Sequence, residues 1–142
     1  MVVFVDGDVP CNVEGRRRVK SWLTSLAKQH NCTLGDLSVV SCSDEELLTY
    51  NRQYLDHDTY TDIITFDHSE GKTLSGDLMI SFERVLENAE SHGVGLQEEL
   101  RRVMAHGVLH LAGFKDKTPD DVRAMRQAED HALQMFHVEH PA

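Results

Sequence analysis

Residues 96–117, "LQEELRRVMAHGVLHLAGFKDK", decide how this chain is read. Positions 96–112 form one long predicted helix, and Gly113 stops it as a C-cap glycine does. On that helix His106 and His110 stand four residues apart. Residues at i and i+4 share a helix face with Cβ atoms about 5–6 Å apart, so two imidazoles there can converge on one ion. Zinc takes neutral histidine nitrogen at about 2.0–2.1 Å, and such a pair supplies half of a tetrahedron. A plainer reading stands beside this one. The chain holds 9 histidines among 142 residues, and chance places a pair at this spacing in roughly one such chain of every two. Val108, Leu109, Leu111 and Phe114 also suit an ordinary core helix.

The residues past the helix end add weight to the ion. Gly113 follows His110 by three positions and Asp116 follows Gly113 by three, so the chain can turn back toward the two rings. That is the geometry of the extended H-E-x-x-H-x-x-G-x-x-H pattern of zinc peptidases. A carboxylate ligates zinc at about 2.0–2.2 Å, and three protein ligands leave a fourth position open for water. By spacing alone, a metal site and a structural helix weigh about equally. Peptidase chemistry is disfavoured, because the glutamate that takes the water's proton in H-E-x-x-H enzymes is replaced here by Gly107. A mid-helix glycine costs roughly 1 kcal/mol against alanine and asks for a reason. Gly107 is expected to leave room, either above the metal for a bulky substrate or for the neighbouring sheet.

Outward from this helix the chain alternates. "VVFV" (2–5) reads as a first strand, and residues 13–30 as a helix with Val19, Trp22, Leu23, Leu26 and Ala27 at helical spacing. "LSVVSC" (37–42) is a second strand. "SDEELLTYNRQYL" (43–55) is a helix opened by a capping box of Ser43 and Glu46. "TDIITFD" (61–67) and "SGDLMISF" (75–82) are β-rich, joined either as a hairpin or by a longer connection. A helix follows at 83–92, ending near Gly93. A last helix runs over 119–137, with Thr118 at the N-cap and Pro119 in the first turn. Met104 and Met125 are expected in the core. The order β-α-β-α-β-β-α-α-α predicts an α+β fold, with helices packed on a small mixed sheet. A chain of 142 residues is most simply one domain, burying about two thirds of its unfolded surface.

Composition narrows the partners. The formal net charge of -10 lowers the weight of a nucleic-acid substrate, since phosphate binding draws on Lys and Arg. Net charge is a global sum, however, and a site is local. Arg16, Arg17, Arg18 and Lys20 cluster near the start, as a solvated helix face or, the lesser reading, an RNA contact. Lys115 and Lys117 flank Asp116. The start "MVVFVDGDVP" lacks a basic n-region, so no signal peptide is expected. No segment approaches the roughly 20 apolar residues of a membrane span. Cys11, Cys32 and Cys42 form no C-x-x-C and leave an odd thiol, which fits a reduced, cytoplasmic setting.

Residues 106–116 resemble the signature of the YbeY family of bacterial endoribonucleases, H-G-x-L-H-L-x-G-Y-D-H. His106, Gly107, Leu109, His110, Leu111 and Gly113 match it position for position. "SDEELLTYNRQYLDHDTYTDIITF" (43–66) is similar to the family block that runs from S-D-E through an Asn and a Tyr to T-D-x-x-[ST]-F. "GDLMIS" (76–81) is similar to its G-D-I-x-I-S strand. The three blocks stand in family order and cover most of the chain. The resemblance implies a mixed four-stranded sheet surrounded by about five helices, with a metal site at the end of the central one. It also implies a hydrolase using one zinc ion per chain to cut single-stranded RNA. Its setting would be maturation of the 16S ribosomal RNA 3' end and ribosome quality control, with the small ribosomal subunit as partner. His106 and His110 carry over as metal ligands.

Two departures qualify the resemblance. The family's third ligand is commonly His, whereas this chain has Asp116, with Lys115 in place of the family's Asp. Aspartate can close a zinc site but adds negative charge, which makes bound water less acidic and favours harder cations. His131 or His137 on the last helix is the alternative third ligand. Many family members also carry an Arg directly after the Tyr of the 43–66 block, where this chain has Leu55. The resemblance implies that this Arg is important for activity, and Arg52, one turn earlier, is the candidate catalytic replacement, its other reading being a solvated helix residue. Lys115 and Lys117 are candidate substrate contacts that offset phosphate charge. Thr61 and Asp62 could line the cleft, though capping and turn chemistry explains them equally well. Asp77 is either a turn residue before a strand or a hydrogen-bond partner for a ligating histidine. The motif supplies no general base. Two rival functions stand beside the nuclease: a metallopeptidase-like hydrolase and a non-catalytic ribosome-assembly factor.

Overall fold

The computed structural model describes residues 1–55 and 60–139, so part of the 43–66 block, residues 56–59, lies outside the described residues. The elements run β1 (Val2–Asp6), α1 (Arg16–Gln29), β2 (Thr33–Cys42), α2 (Asp44–Leu55), β3 (Ile63–Asp67), β4 (Thr73–Ser81), α3 (Phe82–His92), α4 (Leu96–Leu111) and α5 (Pro119–Glu139). Types and order are those expected from sequence. The sheet order is β1-β2-β4-β3. β1, β2 and β4 are parallel, and β3 returns antiparallel along β4 as the hairpin partner. β2 begins earlier than its apolar run, because Thr33 and Leu34 pair with Thr73 and Leu74 of β4 across a register shift. Backbone pairing extends a strand where the side chains give no signal.

The starts of α2 and α5 and the end of α4 follow the residues expected to cap them, with one substitution of roles. Ser43 Oγ accepts the Glu46 amide at 3.2 Å, half of the expected capping box. The reciprocal acceptor is Asp8, whose Oδ1 takes the Ser43 amide at 2.7 Å. Thr118 Oγ1 accepts the Asp121 amide at 3.1 Å and starts α5 as expected. Gly113 adopts φ +108°, a left-handed conformation that costs glycine little. The Phe114 amide bonds back to the Leu109 carbonyl at 3.0 Å, folding the chain sharply after α4.

The main core lies on one sheet face, between β2 and β4 below and α1, α4 and α5 above. Trp22, Leu23, Leu26, Leu78, Leu100, Met104 and Leu109 are fully buried in it. Each such side chain contributes about 1.5–3 kcal/mol of transfer free energy. Met125 is buried there too. Trp22 keeps its polar atom satisfied by donating Nε1–H to the Ala132 carbonyl at 2.7 Å. A smaller cluster of Cys42, Leu47, Ile64 and Met79 packs under α2. Arg16 and Lys20 lie over the Phe4 ring at 5.3 and 5.8 Å, so the basic cluster is an exposed helix face that shields β1.

Gly107 has a definite neighbour. A Cβ there would stand 2.6 Å from Leu78 Cδ2 and 3.1 Å from Ile63 Cδ1. Of the two expectations for this glycine, close approach to the sheet is the one the fold realises. No described helix is long and apolar enough to cross a membrane.

Candidate functional site: a buttressed histidine in a polar pocket

α4 turns one flank to the sheet and another to a pocket between α3, α4 and α5. The pocket has a volume of about 210 Å³, with His106, Asp116 and Glu129 in its wall and Asp62 at its edge. His106 Nδ1 lies 2.7 Å from Glu129 Oε2, and the Glu129 side chain is only 9% exposed. The other oxygen of Glu129 accepts from Arg102 Nη1 at 2.9 Å, while Arg102 Nη2 donates to Asp130 Oδ1 at 2.6 Å. Asp130, Arg102, Glu129 and His106 thus form one chain of charge-assisted contacts running inward along α4 and α5.

The fold after Gly113 brings Asp116 back over this histidine. Asp116 Oδ2 stands 3.6 Å from His106 Nε2, with the side chains 49% and 25% exposed respectively. The hydrogen bond with Glu129, helped by the nearby carboxylates of Asp62 and Asp116, holds the His106 ring above its ordinary pKa despite burial. Burial pushes the Asp62 carboxyl up, opposed by the His106 charge. Asp62 is held at the pocket edge by its own carbonyl, which accepts the Ser81 amide at 2.9 Å.

The donor chemistry suits a divalent ion at two positions. An Nδ1–H aimed at Glu129 leaves the Nε2 lone pair facing Asp116. Two ligands on a tetrahedral zinc with bonds of about 2.0–2.1 Å lie roughly 3.3–3.4 Å apart, close to the His106–Asp116 separation of 3.6 Å. His110 occupies the last turn of α4 and is exposed. Among the described residues no three His, Cys, Asp or Glu side chains converge tightly enough to enclose an ion. His110 therefore stands one turn along from a formed pair and does not close on it.

The remaining sequence candidates lie elsewhere. Arg52 is exposed in the last turn of α2 and lines no part of the pocket. Lys115 lines a separate depression beside Ala112 and Asp121, and Lys117 is exposed beyond it. His131 and His137 border a separate groove between α4 and α5, where His137 Nε2 stands 3.5 Å from Glu98. Thr61 makes a local contact with the Ile63 carbonyl, as turn chemistry does. Asp77 sits inside β4, not before it, and pairs with His68 at 3.1 Å, away from His106. Glu129, Arg102 and Arg126 were not legible from motif spacing. One signal did point to Glu129: it follows the core residue Met125 by four positions, so an acid falls on the buried stripe of α5.

With this geometry in place, comparison with known proteins identifies the family. Residues 8–137 match the family described as Endoribonuclease YbeY. An Endoribonuclease YbeY of Christiangramia forsetii is 46% identical over 136 residues, covering 96% of this chain and 94% of that one. Its counterpart in Bacteroides thetaiotaomicron is 47% identical over 120 residues, covering 84% and 88%. The solution structure of a Thermotoga maritima protein superposes with a TM-score of 0.65 at 24% identity, across 98% of this chain and 91% of that one. That likeness shows a shared fold. The chain belongs to the YbeY family.

Proposed function

We propose that the chain is a zinc-dependent endoribonuclease that cuts single-stranded RNA, acting in the cytoplasm in 16S ribosomal RNA 3' end maturation and ribosome quality control. The observation that carries this reading is the His106–Asp116 pair, braced by Glu129, in the pocket of a YbeY family chain. The three cysteines remain free thiols, which supports a reducing compartment.

His106 and Asp116 would hold the ion, with His110 as third ligand from the same helix face. An exposed imidazole at i+4 starts from a Cβ about 5–6 Å away and can swing in by rotation of its side chain. Such an ion supplies Lewis-acid stabilisation of phosphoryl charge and acidifies water toward neutrality. Glu129 accepts the Nδ1 proton, fixes the ring's orientation and keeps Nε2 available. Arg102 neutralises Glu129, so the buried carboxylate does not draw in a second cation. Asp116, half exposed, closes the pocket on the solvent side. A peptidase is the weaker reading, because position 107 faces Leu78 and Ile63 rather than the pocket. A glutamate there would not reach the site.

The test couples metal analysis to cleavage of a single-stranded RNA, comparing wild type with Asp116→Ala and His110→Ala. The expected wild type carries about one zinc per chain and cuts RNA, and each variant loses both properties. Full-rate cleavage after chelation sinks the metal-dependent mechanism. Full zinc retention in Asp116→Ala removes that residue from the ligand set. A 2',3'-cyclic phosphate product would identify the RNA 2'-hydroxyl as the nucleophile, whereas cutting of a 2'-deoxy linkage would exclude it.

A further inference from the structure

Among the described residues, close polar contacts engage all but two of the ionisable groups around the His106 pocket. Glu129 is held by Arg102 and His106, Glu99 by His92 at 3.3 Å, and Asp116 faces His106. Asp62 and Arg126, both in the pocket wall, are left over. Asp62 immediately precedes β3 and is half-buried, whereas Arg126 lies on α5 one turn before Glu129 and is exposed. Arg126 also lines the adjoining groove that contains Val94, Glu98 and Leu133.

A phosphodiester needs such a cation here more than on most proteins. The chain carries a formal net charge of -10, and four carboxylates line this one pocket. An incoming RNA backbone therefore meets repulsion unless a local positive group offsets it. Arg52, Lys115 and Lys117 lie outside the pocket, and Arg102 is bound on both sides. A guanidinium also offers a planar fork that matches two phosphate oxygens.

We propose that Arg126 is the phosphate subsite of this pocket, binding the backbone of single-stranded RNA beside the His106–Asp116 pair. The assignment rests on the nuclease reading above and adds the residue that holds the substrate. It makes Arg126 a substrate-binding residue of the pocket wall.

The test measures binding of a single-stranded 2'-O-methyl RNA oligonucleotide by fluorescence anisotropy across a salt series, using the full chain. Arg126→Ala is expected to weaken binding about 10- to 100-fold at low salt, as loss of a charge-assisted contact does. The slope of log K against log salt should become shallower by about 0.7, the share of one single-strand phosphate. Arg126→Lys should restore the slope. Arg123→Ala is the control: it is exposed on the same helix, paired with Asp120, and lines no part of the pocket. An Arg126→Ala slope equal to wild type, with RNA still cut, overturns the subsite and leaves the nuclease reading standing. A wild type that fails to bind the oligonucleotide also overturns the subsite. One that neither binds nor cuts RNA overturns both.

Discussion

A carboxylate that accepts a hydrogen bond from Nδ1–H decides which nitrogen of a histidine is left for a ligand. Glu129 does this for His106 at 2.7 Å, from a position that is almost fully buried. Partners of this kind typically govern metal affinity by about 10–100-fold. Glu129→Ala should therefore weaken zinc binding by that factor. Glu129→Gln should weaken it less, because the amide oxygen still accepts from Nδ1. Chelator-competition titrations of the two variants check this, and equal affinities for alanine and wild type would remove Glu129 from the role. At this scale the return of Asp116 toward His106 was legible and the contact from Glu129 was not. Asp116 lies six residues from His110 across a glycine turn, within one local motif. Glu129 lies 23 residues from His106 on another helix, and no local pattern joins them.

The helix α4 has two duties that meet at neighbouring residues. His106 faces the pocket, and Gly107 faces Leu78 and Ile63 of the sheet. Gly107→Val would place a Cβ 2.6 Å from Leu78 Cδ2 and 3.1 Å from Ile63 Cδ1, with two further methyl groups to fit beside it. Overpacking of this kind costs about 1–3 kcal/mol, so the urea midpoint should fall by the equivalent amount. An unchanged midpoint would mean that the sheet yields freely beneath α4. The spacing of the histidines and the stop at Gly113 were visible in sequence, because helix periodicity and capping are local. Which expected use of Gly107 is realised depends on β3 and β4, whose approach no window around residue 107 contains.

The molecule as a whole sets what solvent can reach. Burial pushes the Cys42 thiol up to about 12 and also raises Cys11, while Cys32 is only half-buried. The thiolate is the reactive form, and buried groups react through opening of the structure. At neutral pH a maleimide should label Cys32 first, with Cys11 and Cys42 following slowly, as mass spectrometry of the native protein can follow. Cys42 packs in the small cluster under α2 and Cys11 in the main core. Their relative rates therefore report whether the two clusters open separately. Rapid labelling of all three would contradict the packing. Sequence alone determined the element types and their order, the helix carrying His106 and His110, the turn to Asp116 and the family, because all of these rest on local periodicity, capping and motif spacing. Tertiary structure decided the sheet order, the bracing of His106 by Glu129, the separation of His110 from the formed pair, and the presence of Arg126 rather than Arg52, Lys115 or Lys117 at the pocket. Those depend on which helix faces meet, and that follows from packing of side chains distant in sequence.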